Sequence, residues 1–371
     1  MDSGVPMRKV AVIGSGIAGA VCASSLARSG FSVTIFESAR GPGGRMSQRR
    51  ESADGKELLF DHGAPFFTVR ETATLSGLLQ EWERKGLIAE WKGKFGSFDC
   101  HTRQFLCRDQ EVPDKKYVGV PGMNSICKAL CDEAGVESRF GVGIAQMDWL
   151  EKDDSWSLIG IDGQGLGNFD GMVASDKNLV SSRVTAVTGR TPPLDLNFCS
   201  HLANKVKEIP VNPCFAVMLA FSEPLSSIPF VGLNFVNSKV LNWAHCENSK
   251  PGRSTSSERW VLHSSKEYAE SIIDQFGLRK PSPELLARVA EDLLRELADA
   301  GLDLPKPFFV KAHRWGSAFP VAGMAPEEKC LWDSNRKLAI CGDFCVSPNV
   351  EGAITSGMVA ASKITSILSR M

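Results

Sequence analysis

Two periodicities alternate along the chain. Residues 8–13 form a β-branched apolar run that stops at glycine, as a strand buried on both faces does. Residues 17–29 then repeat apolar positions at helical spacing, with Ala18, Gly19, Ala20, Ala23 and Ser24 on the early face and Gly30 beyond the end. Residues 31–36 are again apolar and β-branched, so the first segment predicts a β-α-β unit. Further on, 58–68 predicts a strand entering a loop, 75–85 a helix, 91–107 strands, and 122–133 a helix behind a Pro-Gly turn. Residues 136–148 and 155–161 read as strands of one small sheet, joined by the turn-forming stretch 151–154.

The pattern changes in the middle of the chain. Residues 216–221, 231–235 and 260–263 are strand-like and separated by Pro, Ser and Asn. Between them 247–258 is polar and rich in Ser, Gly and Pro, which predicts a mobile surface loop. Residues 282–300 form a strongly amphipathic helix with Pro283 in its first turn and Gly301 past its end. A strand over 308–313, a strand ending at Gly342-Asp343 and a helix over 353–368 complete the chain.

The glycines supply the first chemistry. In Gly14-Ser15-Gly16-Ile17-Ala18-Gly19 the three glycines differ in role. Gly14 makes the turn out of the strand, Gly16 permits close approach to a pyrophosphate, and Gly19 permits close packing of helix on strand. The helix N-terminus offers N–H groups and positive potential to phosphates. Glu37, at the end of the second strand, stands where a carboxylate accepts from ribose hydroxyls and repels a 2′-phosphate, which argues against NADP here. This unit leaves NAD and FAD open. The stretch Glu37-Ser38-Ala39-Arg40-Gly41-Pro42-Gly43-Gly44-Arg45-Met46 brings a second glycine turn and a guanidinium to the pyrophosphate. Gly342-Asp343 adds a carboxylate for a ribityl hydroxyl, and the helix beginning near Glu351-Gly352-Ala353 points its positive end at the N1/C2=O side of a flavin. Glu351 also fits a plain cap. Together these elements imply FAD.

Length and composition set the frame. At 371 residues the chain predicts about two domains. We expect an FAD-binding domain from residues 1–70, 120–190 and 306–371 and a substrate domain from 71–119 and 191–305. A net charge of −1 gives no field to attract nucleic acid or an anionic membrane, and no apolar stretch is long enough to span one. The 11 cysteines contain no C-x-x-C and no His at zinc spacing, so no metal is expected and reduced thiols in a reducing compartment are. Cytoplasm or an organelle matrix, chloroplast or peroxisome, fits. The tail Ser369-Arg370-Met371 loosely resembles a peroxisomal address. The oligomeric state is left open.

Several segments carry a resemblance. They are 37–47, Asp61-His62-Gly63-Ala64-Pro65-Phe66-Phe67-Thr68, Val120-Pro121-Gly122-Met123, Ala312-His313-Arg314-Trp315, Cys341-Gly342-Asp343-Phe344-Cys345 and Val350-Glu351-Gly352-Ala353 with Ser356-Gly357. Over nearly the whole length the chain resembles the renalase-like members of the amine-oxidase flavoprotein superfamily. The resemblance implies an α/β, two-domain FAD-binding Rossmann-type fold with a substrate domain of mixed sheet and helices, of amine oxidase/p-hydroxybenzoate hydroxylase type. It implies non-covalent FAD in contact with Ala18, Glu37, Arg45, Pro65, Phe66, Val142, Asp343 and Ala353, the backbone at Val142 reading the adenine. It further implies hydride transfer from 2- or 6-dihydro-NAD(P) isomers to flavin N5, with O2 as acceptor and H2O2 as product. Such a donor needs alignment more than acid–base help, in keeping with the lack of a Ser/His/Asp or paired-carboxylate constellation.

The sequence departs from that pattern at Pro65, where Gln is usual, at 242–247 beyond Trp243, and at Val173-Ala174-Ser175-Asp176; these departures are expected at the substrate. Candidates for the ring face are Phe67, Trp243, His245, His263 and Trp315, each also readable as core. Two alternatives stand beside the oxidase of reduced nicotinamides. One is a flavin amine oxidase or an isoprenoid desaturase or oxidase, against which stand only 2 tyrosines, no flavinylation cysteine and no membrane-facing helix. The other is a flavin-binding protein without turnover.

Overall fold

In the computed structural model the N-terminal β-α-β unit forms as the periodicity predicts, with strand Lys9–Ile13, helix Ile17–Arg28 and strand Ser32–Glu37. The structure describes residues 7–70, 73–107, 115–181, 183–197, 199–206, 209–302 and 304–370. Met371 of the tail motif lies outside them. The chain divides into two compact units: Met1–Gly44, Ile126–Pro210 and Pro320–Met371 make the first, Arg45–Ser125 and Val211–Phe319 the second. Residues 45–70, 120–125 and 306–319, expected in the FAD-binding domain, fall in the second unit, and 191–210, expected in the substrate domain, falls in the first.

The first unit is built on a six-stranded sheet in the order Leu331–Asp333, Leu338–Ile340, Gly171–Ala174, Lys9–Ile13, Ser32–Glu37, Val136–Phe140. All neighbours are parallel except the first pair. Its central strands are apolar because both faces are covered. Helix Ile17–Arg28 packs against the last helix, Val350–Leu368, at backbone distance: a Cβ on Gly357 would lie 2.3 Å from the Ala18 carbonyl oxygen.

Two segments of this unit differ from expectation. Residues 136–148 are not one strand. Val136–Phe140 is the edge of the parallel sheet, whereas Ile144–Leu150 pairs antiparallel with Ser155–Gly160 in a separate three-stranded sheet. The break falls at Gly141, whose φ of +75° turns the chain between them. Residues 173–176, in turn, lie at the centre of the parallel sheet and the turn that leaves it. Val173 and Ala174 lie in a fully buried strand between Lys9–Ile13 and Leu338–Ile340, and the Ser175 hydroxyl is 2.9 Å from the carbonyl oxygens of both Ile13 and Gly14.

The second unit has a mixed seven-stranded sheet in the order Phe309–Pro320, Val211–Phe221, Glu258–Ser264, Leu241–Cys246, Gly232–Val236, Phe95–Asp99, Gln104–Cys107. Strand Val211–Phe221 shows how period-two alternation serves both faces. Phe215, Val217, Leu219 and Phe221 pack with Ala269, Ile272, Val289, Leu293 and Leu297 of helices Lys266–Phe276 and Pro283–Asp299. Ala216, Met218 and Ala220 face Leu58 and Phe60 of the hairpin Arg49–Ala53/Lys56–Phe60. Helix Pro283–Asp299 starts on Ser282, whose hydroxyl accepts from Leu285 N–H, with proline at the position where no N–H is needed. No helix among the described residues is long and apolar enough to cross a membrane.

Candidate functional site

In the first unit Gly14 makes the turn and Gly19 the close helix–strand contact that their spacing predicts. Gly14 has φ +103° and its N–H bonds to the Phe36 carbonyl at 2.8 Å. A Cβ on Gly19 would lie 2.1 Å from the Gly14 carbonyl oxygen, so only glycine lets this helix meet this turn. A Cβ on Gly16 would meet nothing within 4 Å. Gly16 brings no side chain to cap the helix, and Ile17 and Ala18 are buried in its first turn. The second glycine turn docks on the first: Gly43 N–H donates to Ser15 O at 3.0 Å, and a Cβ on Gly44 would lie 3.4 Å from Gly16 Cα.

Glu37 is held from both oxygens. One accepts from the Ser15 N–H and hydroxyl at 2.9 and 2.8 Å, the other from Ala39 N–H at 2.8 Å and the Ser38 hydroxyl at 3.3 Å. Val142 N–H donates to the Glu37 carbonyl at 2.9 Å, which fixes that backbone beside the carboxylate, while Arg40 is exposed. The roles of Ser15 and Ser175 emerge only in three dimensions; small polar residues inside or far from a glycine motif carry no signal of what they bind.

At the other end of the sheet sequence, Gly342 N–H donates to the Ser356 hydroxyl at 3.0 Å, and buried Asp343 opens the short helix Asp343–Val346. The last helix begins at Val350. Its cap is Asn349, whose side-chain oxygen accepts from Gly352 N–H at 2.7 Å; Glu351 lies in the first turn and does not cap. Ala353 is buried one residue on.

In the second unit Arg45 and Met46 form a single turn against the loop 63–64. Ala64 N–H donates to the Arg45 carbonyl at 2.9 Å, and a Cβ on Gly63 would lie 2.0 Å from the same oxygen. The Arg45 guanidinium stands 5.9 Å above the Phe319 ring, and Met46 is buried. Within this unit lies a cavity of about 590 Å³, whose lining includes Pro65, Phe66, Phe95, Trp243, His263 and Phe319 with Lys116, Asn234 and Asn242. The Phe66 ring leans toward Trp243, Trp91 and Phe95, with centroids 5.8, 6.0 and 6.2 Å away.

Of the five ring-face candidates, Trp243 and His263 reach this cavity. Phe67 instead points into the core, stacked on Tyr117 at 5.7 Å with its backbone paired to the same residue. Trp315 packs with His62 and His313, ring centroids 4.8 Å from each, and donates its indole N–H to the His62 carbonyl at 2.9 Å. His245 is fully buried behind Trp243. Its Nδ1 accepts the Trp243 indole N–H at 3.1 Å, which leaves the proton on Nε2, and Nε2–H donates to Glu247 at 2.8 Å.

Glu247 leads into a buried ion network. Lys250 Nζ lies 2.9 Å from Glu247 and 3.2 Å from Asp61, and Arg253 donates to the same Asp61 carboxylate. Asp61 also accepts from Met123 N–H at 3.1 Å. Burial alone would push the Glu247 carboxyl up, but Lys250, His245 and Arg253 together outweigh it and hold it well below the ordinary carboxylate range. The segment 247–258 is therefore not a mobile surface loop. Glu247, Lys250, Arg253 and Ser257 are buried, and exposure is confined to Gly252 and the tip 254–256. Polar composition predicts exposure only while the charges lack partners, and here the partner, Asp61, comes from a distant segment.

Three histidines in this unit, His62, His245 and His263, are buried, a fourth, His313, is half-buried, and all four are held neutral. Burial, aided by His313, lowers His62 to about 3; burial with His245 lowers His263 to about 3; burial with Lys250 lowers His245 to about 4; burial with Arg49 lowers His313 to about 4. The unfolded chain takes up these protons near pH 6.5, the folded chain only near pH 3 to 4. The stability they contribute is thus complete above pH 6.5 and lost as the pH falls toward their folded values. Urea denaturation at stepped pH is expected to show stability dropping throughout that window; a flat profile would contradict the buried neutral assignment.

Known proteins share this architecture. Residues 12–82 match the NAD(P)-binding Rossmann-like domain family. The whole chain superimposes on a protein from Exiguobacterium provisionally named a protoporphyrinogen oxidase, with TM-score 0.69 and 11% identity, covering 99% of this chain and 100% of that one. It superimposes similarly on putrescine oxidase bound to putrescine, with TM-score 0.65 and 13% identity over 97% of this chain and 99% of that one. An oxidoreductase from Methanosarcina mazei matches with TM-score 0.62 and 14% identity, over 95% and 99%. The chain has the mixed α/β fold of these oxidoreductases, with a Rossmann-like segment at its N-terminus.

Proposed function

We propose that the protein is a renalase-like, FAD-dependent oxidase of a small reduced substrate, with 2- and 6-dihydro-NAD(P) isomers as the leading candidates. The observation that carries this reading is the cavity of about 590 Å³, walled by Phe66, Phe95, Trp243 and Phe319, with no carboxylate among its described lining. A planar ring that already donates hydride needs flat walls and fixed orientation rather than a general base. His263 agrees with this. It donates from Nε2 to the His62 carbonyl at 3.0 Å and stays neutral, so it orients and does not protonate.

The first unit fits FAD. Gly16 leaves open space beside an uncapped helix N-terminus, and the docked turn at Gly43-Gly44 completes a backbone cradle suited to a pyrophosphate. Gly14, Gly16, Ile17, Ala18, Gly19, Glu37, Ser38, Arg40, Gly44, Val142, Gly342, Asp343, Glu351, Gly352 and Ala353 would hold the cofactor there. The cofactor contacts that the resemblance implies for Arg45, Pro65 and Phe66, with their neighbours Met46, Gly63 and Ala64, fall on the second unit. When bound, FAD supplies a two-electron acceptor for the substrate hydride, with O2 as final oxidant and H2O2 as product. The chain's own part is to bind and align the donor ring, keep Trp243 oriented through His245, and hold His263 neutral.

The amine-oxidase alternative has less support, since a cationic amine would find Lys116 and no carboxylate among the described residues of the cavity. The test is to purify the protein, record its flavin spectrum, and mix it anaerobically with 2-, 4- and 6-dihydro-NAD(P) isomers. Bleaching by the 2- or 6-isomers, with H2O2 on admitting air, is the expected result. Bound flavin that no isomer bleaches would sink this substrate class and favour an amine, an isoprenoid or a protein without turnover.

A further inference from the structure

Lys116 enters the same cavity, although no sequence motif singles it out. It precedes the strand Tyr117–Gly119, and its carbonyl accepts from Trp91 N–H at 2.7 Å, so its backbone is fixed where the side chain enters. The ammonium stands 4.6 Å above the Phe95 ring and 5.7 Å above the Phe66 ring. Ring faces hold a cation in place without cancelling its charge. The remaining polar lining is Asn234, Asn242 and His263, all neutral, and none of the described residues forms an ion pair with Lys116. The cavity therefore carries one fixed positive charge, two amides that can donate, and flat apolar walls.

We infer that Lys116 makes this cavity selective for a planar substrate carrying an anionic group, a carboxylate or phosphate, and selective against a cationic amine. The inference rests on the proposed function only in taking this cavity as the substrate site. A charge-assisted hydrogen bond from an ammonium is roughly twice as strong as a neutral one, and in a half-buried site it discriminates by about ten- to a hundredfold. The same charge repels a diamine.

The test uses the protein as purified, with whatever flavin it carries, and reads binding by calorimetry and tryptophan fluorescence. Benzoate and benzamide serve as probes of one shape that differ in charge. Wild type is expected to bind benzoate at least about tenfold tighter than benzamide. Lys116→Met, which keeps the aliphatic stem over the rings, should bring the two together by weakening benzoate alone, and Lys116→Arg should keep most of the preference. Equal affinities in wild type, an unchanged ratio in Lys116→Met, or no binding of either probe would overturn the inference. Charge selectivity in a preparation whose bound flavin none of the dihydro-NAD(P) isomers bleaches would leave the inference standing and remove the proposed substrate class.

Discussion

Gly19→Ala is expected to unfold the first unit or leave it grossly destabilised, while Gly16→Ala, three residues away, folds normally and loses its cofactor. The added methyl at Gly19 would fall 2.1 Å from the Gly14 carbonyl oxygen and 2.5 Å from the Ser175 hydroxyl. Helix Ile17–Arg28 cannot retreat, because its other side is held where Ala18 meets Gly357 at backbone distance. Overpacking against backbone on both sides puts the loss at about 3 kcal/mol or more. Gly16 has φ −64° and ψ 171°, which alanine adopts freely, and its methyl meets no protein atom. Its stability should stay within about 0.5 kcal/mol of wild type. Denaturation curves and flavin content of the two purified variants separate these effects. A stable Gly19→Ala protein would refute the close-packing assignment; a fully yellow Gly16→Ala protein would refute the phosphate assignment.

Glu247→Ala should cost about 3–5 kcal/mol, the loss typical when one partner of a buried ion network is removed. Lys250 and Arg253 would keep their charges in the interior with Asp61 as their remaining carboxylate. His245 would lose the acceptor of its Nε2–H, and its ring would be held by the Trp243 indole alone and free to turn. The indole of Trp243 would then lose its fixed partner at the cavity wall. Two readouts follow: a lowered denaturation midpoint, and a shifted tryptophan emission that Glu247→Gln restores only in part. The exposed pair Arg50–Glu57 on the hairpin provides the control, since Glu57→Ala should change neither. Wild-type stability in Glu247→Ala would mean that the network adds nothing to the fold.

Glycine turn and ion network also differ in how far sequence reveals them. The β-α-β unit and its glycines are legible because everything they do is local, with a turn, a close approach and a helix start inside six residues. The amphipathic helix Pro283–Asp299 is legible for the same reason, since cap, proline and apolar stripe lie on one element. Strand Gly171–Ala174 is not, because four buried residues have no period to read. Segment 247–258 misleads because its burial depends on Asp61 and on the backbone of 119–121, neither visible in its own composition. Trp243 and His263 are legible as cavity candidates by residue type. Phe67 is the wrong one of two adjacent phenylalanines: strand-like alternation sends Phe66 to the cavity and Phe67 to Tyr117, and sequence alone does not say which side is which. Helix Lys266–Phe276 escapes the periodicity reading altogether.

The division of the chain bears on how the protein is made. The second unit draws its last residue at Phe319, whereas the first still lacks Pro320–Met371 at that point. The strands Leu331–Asp333 and Leu338–Ile340 and the helix that meets Ala18 all come from that final stretch. On the ribosome, then, the glycine turn that is synthesised first waits longest for its neighbours, and the second unit can finish before the one whose sequence brackets it. A chain released after residue 319 should present a folded aromatic cavity and an open, protease-sensitive first unit.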